Sequence, residues 1–494
     1  MEILSAIGVN SAEQKAFKLG ITQQSLMERA GYAVFKECTS RFSPPARVLV
    51  LAGRGNNGGD GFVCARYLQD AGFQVRVMVL SGNEALPKLT LLQRQTARRC
   101  GVKIFEITPN RSLPDFNEYD LIIDALFGTG LNRPIFGLAA SVIDAANKAQ
   151  AWKLAVDLPS GLDASSLKIL GECFLADLTV TFTRPKLPMQ LYPTRAFCGE
   201  VVIADVGVPD AVVSSKLQLL TEKNTPDLPV RSLHGHKGDY GHAVIVGGSL
   251  GKTGASVLAG LSALRAGAGL VTCTLPGSLY NMLAAYPELM GFYCKSSTVY
   301  IKNDTDDIKD FLKESMALGL GPGIGRRSET EAFVRELIAV TEQKLVVDAD
   351  ALYALNKEAL LSLAGRAVLT PHMGEFAAMA GVDKATLISQ RLELALEYAV
   401  KYQVCLVLKS SETIITTSDG QQYISEWGTP ALSKGGSGDI LTGIITALLA
   451  QGYSLADAAK LGCRIQGEAS RKASEKRAEY AVSPRDIVDA IGLK

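Results

Sequence analysis

Residues 432–452 read LSKGGSGDILTGIITALLAQG, a glycine-rich turn followed by an aspartate and an apolar segment with helical character. Glycines permit positive φ angles and close backbone approach, and the free amides at a helix start attract anions such as phosphate. A second stretch, VLVLAGRGNNGGDGFVCARYL at residues 48–68, has the same outline. Two such loops indicate two ligand sites in one chain.

The length and composition of the chain limit the number of domains and the kinds of partner. At 494 residues the chain is too long for one core, and we expect two domains. The formal net charge of +1 gives no global attraction to nucleic acid or anionic membranes, so we expect neither as a partner. The 9 cysteines include no CxxC pair, which argues against a zinc site or a disulfide framework and favours the reducing cytoplasm.

Short β-branched runs alternate with helical patterns along both halves of the chain. This rhythm predicts parallel sheets with helices on both faces, which is a three-layer α/β/α domain in each half. A polar stretch with two prolines at 221–241 separates the two series, and we place the domains at 1–222 and 223–494. The strand-like runs fall at 47–53, 75–80, 120–128, 152–161, 176–182, 242–249, 316–325, 344–352, 366–372 and 404–410.

Polar and glycine-rich loops follow several strands of the first half. LAGRGNNGGDGF leads into a helix predicted from about Asp60, while Asp124, Asp157 and Ser160 follow two later strands. Ligands bind beyond the carboxyl ends of parallel strands, so we expect a shared cleft whose oxygen atoms suit a hard cation. The alternatives are an ordinary turn with Asp60 as a helix cap, and strand-end aspartates that only cap helices.

The KGGSGD loop at 434–439 predicts phosphoryl-transfer chemistry in the second half. Its backbone amides would neutralise the charge of a terminal phosphate, and the carboxylate of Asp439 would take a proton from an attacking hydroxyl. The alternative is a tight helix-start turn in which Asp439 is only an N-terminal charge. His372, in TPHMGEF, is of a type that more often serves as a structural hydrogen-bonding residue.

Motifs along nearly the whole chain resemble those of one enzyme family. SLMERAG, GRGNNGGDGFV, DALFGTGL, AVDLPSGLD and TFTRPK are similar to the Rossmann-like epimerase half of bifunctional NAD(P)H-hydrate repair enzymes. HKGDYGHAVIVGGS, GLGPGIG, VVDADAL, LTPHMGE and LSKGGSGDILTG are similar to their ribokinase-like dehydratase half. The resemblance implies that the first domain interconverts the R and S forms of NADHX and NADPHX, which are nicotinamide cofactors hydrated at C6. The second domain would dehydrate the S form at the expense of ADP or ATP, by phosphorylation of the C6 hydroxyl and elimination.

The resemblance also assigns roles to residues of the first domain. Asp157 would be the catalytic acid/base group, and Lys186 is a candidate for a second proton-transfer group. A potassium ion would be held by Asn57, Asp124 and Ser160. The substrate would contact Asn56, Asn57, Gly58, Gly59, Asp60, Gly128, Thr129, Gly130, Leu131, Asn132, Arg133, Pro134 and Asp157.

In the second domain the resemblance implies that Asp439 is the catalytic group. The substrate would contact Ala255, Gly323, His372, Met373, Gly374, Glu375 and Asp439. The nucleotide, together with Mg²⁺, would contact Lys409, Ser410, Ser411, Glu412, Thr413, Lys434, Gly435, Gly436, Ser437 and Gly438.

Two other functions stay open at the level of sequence. The second half is also compatible with a ribokinase-like small-molecule kinase that releases a stable phosphate ester, and the first half with a non-catalytic nucleotide-binding module. Both Asp124 and Asp157 are present, which favours a catalytic first domain. We also expect a homo-oligomer.

Overall fold

The computed structural model describes residues 1–80, 86–109, 112–228, 230–296, 298–313 and 315–492. It divides into two compact units, Met1–Leu217 and Gln218–Lys494. The predicted boundary between residues 222 and 223 lies near this division and stays a prediction. Residue 229 of the predicted linker, and residues 493 and 494 of the predicted second domain, lie outside the described residues.

The first unit contains a 7-stranded sheet in the order β3-β2-β1-β4-β5-β6-β7, with parallel neighbours throughout. The strands β1 to β7 are Arg47–Ala52, Gln74–Leu80, Lys103–Ile107, Leu121–Ala125, Trp152–Val156, Leu178–Phe182 and Glu200–Ala204. The helices α1 to α5 are Ala6–Lys18, Gln23–Arg41, Asn56–Asp70, Lys88–Arg99 and Leu138–Lys148.

Helices cover both faces of this first sheet. Side chains alternate between the faces of a strand, so Val48 and Val50 of β1 pack on the side of α2, α3 and α4, whereas Leu49 and Leu51 pack on the side of α5. The strand order reverses between β1 and β4, and open α/β sheets bind ligands at the carboxyl ends of such a pair. The predicted three-layer fold is confirmed, and the reversal point marks the place where a ligand is expected.

The second unit contains a 10-stranded sheet in the order β11-β10-β9-β12-β13-β14-β15-β16-β17-β8. The strands β8 to β17 are Leu217–Leu219, His242–Val246, Leu270–Pro276, Met290–Cys294, Ala317–Leu320, Lys344–Val347, Ala367–Leu369, Cys405–Leu408, Thr413–Thr416 and Gln422–Ser425. The helices α6 to α14 are Thr253–Arg265, Asp304–Leu312, Ser328–Val340, Lys357–Ser362, Met373–Ala380, Lys384–Tyr402, Ser437–Ala450, Leu455–Lys476 and Pro484–Ala490.

The second sheet is mixed rather than wholly parallel. Neighbours from β11 to β15 in the sheet order are parallel, whereas β16 pairs antiparallel with both β15 and β17. The connections around β16 are too short for the crossover that a parallel pair needs, which is roughly a dozen residues. The sequence rhythm predicted the parallel strands and gave no sign of this hairpin segment.

Helix α12, which follows the glycine-rich turn at 434–438, lies in the core of the second unit. It packs with α6, α13 and α14 on the face of the sheet that carries Ala243 and Ile245. A Cβ on Gly443 of α12 would lie 2.0 Å from the carbonyl oxygen of Ala259 in α6, so only glycine permits this close crossing. The packing fixes the start of α12 at one end of the sheet.

Candidate functional site

The glycine-rich loop of the first unit leads directly into α3. This helix begins at Asn56, with Gly55 as its N-cap, so the predicted start near Asp60 is wrong. Residues 57–61 are buried, and such packing rather than intrinsic propensity stabilises most helices in proteins. Asp60 therefore lies inside the helix and does not cap it. Because no side chain caps α3, the amides of its first turn are free for an oxygen ligand.

A buried carboxylate connects the ends of β4 and β5. Asp124 Oδ1 accepts hydrogen bonds from Ser160 Oγ at 2.7 Å and from the Leu126 amide at 3.1 Å. Its Oδ2 accepts from the Ser160 amide at 2.8 Å. Burial raises the pKa of Asp124 to about 6, and these hydrogen bonds oppose the rise. Asp124 thus organises the strand-end loops and does not cap a helix.

Asn57 is the third side chain of the predicted potassium site. It is 8% exposed, and neither Oδ1 nor Nδ2 has a hydrogen-bond partner among the described residues. A Cβ built on Gly128 would lie 3.2 Å from Asn57 Oδ1, which places Asn57 beside the loop that follows β4. An orphaned amide, a hydroxyl and a single carboxylate fit a cation of low charge that prefers oxygen ligands. Within the described ranges, no group of three His, Cys, Asp or Glu side chains is placed to hold a metal ion.

Asp157 lies in a strained turn after β5 and forms a buried ion pair. Its φ of 65° is in the left-handed region, which is uncommon for residues other than glycine. Lys186 Nζ donates to Asp157 Oδ1 at 2.6 Å and to Thr181 Oγ1 at 2.7 Å. Lys186 is 1% exposed. The two candidate proton-transfer groups of the first unit therefore contact each other directly.

A cavity of about 1130 Å³ opens beside these groups. Such a volume is at the upper end for small-molecule sites, as a dinucleotide requires. Gly58, Gly59 and Pro134 are not among its lining residues, and neither are Asp124 and Ser160. The predicted residues that do line it are Asn56, Asn57, Asp60, Gly128, Thr129, Gly130, Leu131, Asn132, Arg133, Asp157 and Lys186.

The sequence analysis missed several polar residues of this cavity, including Asn10, Glu13 and Arg54. Asn10 and Glu13 line it from α1, and Arg54 lines it from the glycine-rich loop. Arg54 belongs to a quoted motif, so its position was a usable signal. Helix α1 contains no motif, and only its packing in the folded unit brings Glu13 into the cavity.

In the second unit, the glycine-rich turn leaves the start of α12 uncapped. Gly436 is the N-cap and has a φ of 105°, in the left-handed region that favours glycine. No side chain caps α12, and Ser437 Oγ is buried without a hydrogen-bond partner in the described part of the chain. The free amides and this hydroxyl create an anion-binding environment at the helix N-terminus.

A second lysine-aspartate pair lies beside this turn. Lys409 Nζ donates to Asp348 Oδ1 at 2.6 Å, and Thr442 Oγ1 donates to Asp348 Oδ2 at 2.8 Å. A Cβ built on Gly438 would lie 3.1 Å from Lys409 Nζ, so the ammonium group lies next to the turn. Burial favours neutral Asp348, but the charge of Lys409 and these hydrogen bonds outweigh it and lower the pKa of Asp348.

Asp439, in the first turn of α12, differs from Asp348 because its carboxylate is unpaired. It makes no hydrogen bond or ion pair with any described residue. Burial raises the pKa of Asp439 to about 7; the charge of Asp348 adds to the rise and that of Lys409 opposes it. A group with a pKa near the working pH is well suited to accept a proton in catalysis.

His372 has the structural role that is usual for a lone histidine. Its Nδ1 accepts from the amides of Gly374 and Glu375 at 2.9 and 3.1 Å, so it caps α10, of which Met373 is the first residue. The Glu375 carboxylate accepts from the His372 amide at 2.8 Å and completes a capping box. The imidazole side chain is 56% exposed, which leaves its outer edge accessible to a substrate.

The remaining predicted residues of the second unit lie in three places. A Cβ built on Gly323 would lie 3.0 Å from the Cβ of Ala255, so these two are neighbours. Lys434 Nζ donates to two backbone carbonyls just before α14, at 2.6 and 2.5 Å. Glu412 is buried and lies 3.9 Å from the guanidinium group of Arg391. Ser410 and Ser411 lie in the turn before β16, and Thr413 is the first residue of that strand. Gly435 lies in the glycine-rich turn at 434–438, which we call the anion turn.

The sequence analysis also missed a charged cluster near Asp348. Asp350 accepts from Lys252 Nζ at 2.9 Å and from Arg326 Nε at 2.7 Å. Both aspartates belong to VVDADAL, which follows a predicted strand. In the first half, aspartates that follow predicted strands marked the candidate site. The same pattern occurs in VVDADAL and could have marked Asp348 and Asp350.

Comparison with known proteins gives matches to both halves of the chain. Residues 243–492 match the family described as NAD(P)H-hydrate dehydratase, and residues 23–188 match the family described as YjeF-related protein N-terminus. A bifunctional NAD(P)H-hydrate repair enzyme from Moorella thermoacetica is 38% identical over 480 residues, which cover 94% of this chain and 91% of the relative. The enzyme of the same description from Escherichia coli is 34% identical and covers 92% of this chain and 85% of the relative.

The chain belongs to the family of bifunctional NAD(P)H-hydrate repair enzymes. The prediction of a bifunctional NAD(P)H-hydrate epimerase and dehydratase is confirmed. A crystal structure of ADP/ATP-dependent NAD(P)H-hydrate dehydratase from Bacillus subtilis, co-crystallised with ATP and Mg²⁺, is 27% identical with a TM-score of 0.48 and covers 56% of this chain and 97% of that chain. In this repair enzyme, no helix of the described ranges has the length and apolar character needed to cross a membrane.

Proposed function

We propose that this repair enzyme divides its activities between residues 1–222 and 223–494. The first domain interconverts the R and S forms of NADHX and NADPHX, and the second dehydrates the S form with ADP or ATP as the phosphate donor. The family matches at 23–188 and 243–492 support this division because each falls within one domain.

The uncapped N-terminus of α12, with unpaired Asp439 in its first turn, carries the proposal for the dehydratase. Its free amides bind the transferring phosphoryl group and neutralise charge as it develops. Asp439 accepts the proton of the C6 hydroxyl while the C6 oxygen forms its bond to the terminal phosphorus of the nucleotide. The bridging P–O bond to that phosphorus breaks, so AMP leaves from ADP, or ADP from ATP. The C6–O bond then breaks, the phosphate leaves with the bonding electrons, and loss of a ring proton restores the nicotinamide.

Lys409 and Asp348 lie beside the anion turn and support transfer of the phosphoryl group. The ammonium group of Lys409, held by Asp348 at 2.6 Å, adds a fixed positive charge beside the phosphate. Mg²⁺ is usually held by substrate phosphates and by one or two carboxylates. The carboxylate of Asp348, beside the turn, fits that requirement and leaves Asp439 free to act as the base. The ion would neutralise phosphate charge.

The cavity of the first unit supports the proposal for the epimerase. Its lining includes Asp157 and Lys186, the two candidate proton-transfer groups, whose ion pair lies beside the space for the dinucleotide. We assign the potassium ion to Asn57, Asp124 and Ser160, because the orphaned amide of Asn57 needs a partner that no described residue supplies. The cation would fix the strand-end loops that shape the cavity.

The net charge of the chain supports the partners that we propose, and its free cysteines support the cellular location. The net charge of +1 supports small molecules rather than nucleic acid or membranes as partners. The cysteines at 38, 64, 100, 173, 198, 273, 294, 405 and 463 are all free, which supports the cytoplasm. A homo-oligomer remains part of the proposal.

A single assay tests the two activities together. Purified protein is incubated with R-NADHX or S-NADHX, with Mg²⁺ and with ADP, ATP or no nucleotide, while the absorbance of the restored nicotinamide is followed. We expect interconversion of the epimers without nucleotide and NADH formation only with it. Accumulation of a stable phosphate ester in place of NADH would instead identify a small-molecule kinase.

A further inference from the structure

Helix α1 brings a carboxylate into the epimerase cavity that no motif identifies. Ser5 caps this helix, and the Leu4 amide donates to the carbonyl of Pro185 at 2.9 Å, next to Lys186. Ala12 and Ala16 are buried, which fixes the face of α1 toward the core. This packing places Glu13 in the cavity lining.

The Glu13 carboxylate is free, whereas the ammonium group of Lys186 is engaged. Lys186 is engaged with Asp157 and Thr181, whereas Glu13 makes no hydrogen bond or ion pair with any described residue. Burial, and then the charge of Asp157, raise the pKa of Glu13, while Lys186 opposes the rise. The other charged side chains that line the cavity are Arg54, Asp60 and Arg133.

Epimerisation at a hydrated C6 carbon needs a proton donor. C6 carries a hydroxyl and is bonded to the ring nitrogen N1, whose lone pair can expel the hydroxyl if a proton makes it leave as water. The resulting planar cation then accepts water on its opposite face, and a base removes one proton from that water. Asp157 is the proposed base, and the ammonium group of Lys186 already donates to Asp157, Thr181 and the carbonyl of Phe182, so the donor has still to be assigned.

We propose, on the basis of the epimerase activity assigned above, that Glu13 is a further catalytic residue which protonates the departing C6 hydroxyl. The C6–O bond breaks, water leaves, and N1 supplies the electrons. Water adds to the other face of C6, and its proton passes to Asp157. In the opposite direction the two carboxyl groups exchange roles, and solvent in the open cavity returns each to its starting protonation state.

Asp60 is the competing donor, and burial distinguishes the two. Asp60 is 9% exposed inside α3, whereas Glu13 is partly exposed on the cavity wall and can exchange its proton with solvent. The buried, unpartnered amide of Asn57 lines the same cavity and is an independent sign of a ligand there. Glu13 thus combines a place in the cavity lining, a free carboxyl group and access to solvent.

The test uses the full chain with Glu13→Gln, Glu13→Asp and Asp60→Asn. Epimerisation of R-NADHX is measured without nucleotide, and dehydration of S-NADHX is measured separately. Glu13→Gln should lower the kcat of epimerisation by about 10²-fold or more, which is the usual contribution of a general acid, and leave KM within about 3-fold. Glu13→Asp should restore part of kcat. Glu118→Gln, an exposed carboxylate shortly before β4 and outside the cavity lining, is the matched control and should behave as the parent.

The results distinguish failure of the Glu13 proposal from failure of the proposed epimerase function. A Glu13→Gln protein with a kcat within about 3-fold of the parent overturns the proposal, and so does a loss confined to Asp60→Asn. If Glu13→Gln does not fold, as judged by thermal unfolding, Glu13→Asp decides: an unchanged kcat overturns the proposal, and a reduced kcat at constant KM supports it. A parent protein that does not epimerise R-NADHX at all would instead remove the proposed function itself.

Discussion

The two units each place a lysine-aspartate pair at the end of a parallel strand but use it differently. In both pairs Lys Nζ lies 2.6 Å from the carboxylate oxygen, with Lys186 on Asp157 and Lys409 on Asp348. In the first unit the paired aspartate is itself the predicted proton-transfer group and lines a cavity. In the second unit the paired aspartate is buried, and the predicted base, Asp439, is a separate and unpaired carboxylate.

This difference shows two ways to prepare a carboxylate for proton transfer. An ion pair orients a carboxylate and holds a positive charge beside it, as Lys186 does for Asp157. An unpaired carboxylate in a buried setting beside another negative charge becomes more basic, as Asp439 does beside Asp348.

Replacement of the unpaired base should have the largest effect. Asp439→Asn keeps the size of the side chain but cannot accept the proton, so dehydration of S-NADHX should fall by about 10²-fold or more. Nucleotide affinity, measured by calorimetry, should stay within a few-fold because the amides of the turn remain. Asp310→Asn, an exposed aspartate of the same unit, is the control. Near-parental dehydration by Asp439→Asn would remove its role as the base.

Obstruction of the anion turn should mainly weaken nucleotide binding. A valine at Gly436 would be strained at φ 105°, and its Cβ would lie 2.9 Å from Leu258 Cδ1. Hydrogen bonds to charged groups contribute about 1.5–3 kcal/mol each, so Gly436→Val should weaken nucleotide binding by about 10-fold or more. Gly435→Ala, with no atom within 4 Å of the new Cβ, should have a much smaller effect. Equal affinity in both variants would contradict the proposed anion site.

Loss of Asp124 should affect only the first unit. Asp124→Ala removes the acceptor of three hydrogen bonds and one proposed potassium ligand. Epimerisation should fall by about 10-fold or more, while dehydration of supplied S-NADHX should persist. In the parent, but not in the variant, potassium should raise the melting temperature more than lithium does. Thermal stability of the parent that is independent of potassium would argue against the cation site.

The pH dependence of dehydration tests how the second unit tunes its base. Because the pKa of Asp439 is raised to about 7, kcat should fall as the pH decreases below that value and Asp439 becomes protonated. Asp348→Asn removes a negative charge that raises this pKa and releases Lys409, which lowers it. Both changes should move the acid limb of the kcat profile to lower pH. A limb that keeps its position would show that Asp348 does not tune Asp439.

Separation of the two units should have the smallest effect. Fragments 1–222 and 223–494 should each fold, because each retains its own hydrophobic clusters and the cut removes only the edge strand β8 from the second sheet. The first should epimerise NADHX without nucleotide, and the second should dehydrate only the S form, both at rates close to those of the intact chain. Inactive, insoluble fragments from an active full chain would contradict the proposed division.

The sequence by itself determined the repeated strands, the two glycine-rich turns and the positions of Asp157 and Asp439. These features have local causes, since β-branched runs form strands and glycines permit the backbone of a tight turn. The same signal at VVDADAL was available for Asp348 and was not used. The start of α3 was misjudged because burial of its first turns, rather than helix propensity, fixes that boundary.

Only the tertiary structure decided which groups meet and with what charge. Asp348 meets Lys409 across 61 positions of sequence, and Asp124 meets Ser160 across 36. Glu13 enters the cavity because α1 packs beside Lys186, although no residue pattern in α1 marks it. The protonation of a carboxylate depends on burial and on charges a few ångströms away. Burial and nearby charges depend on how distant segments pack together. The local sequence therefore shows which charged groups are present but not which of them pair.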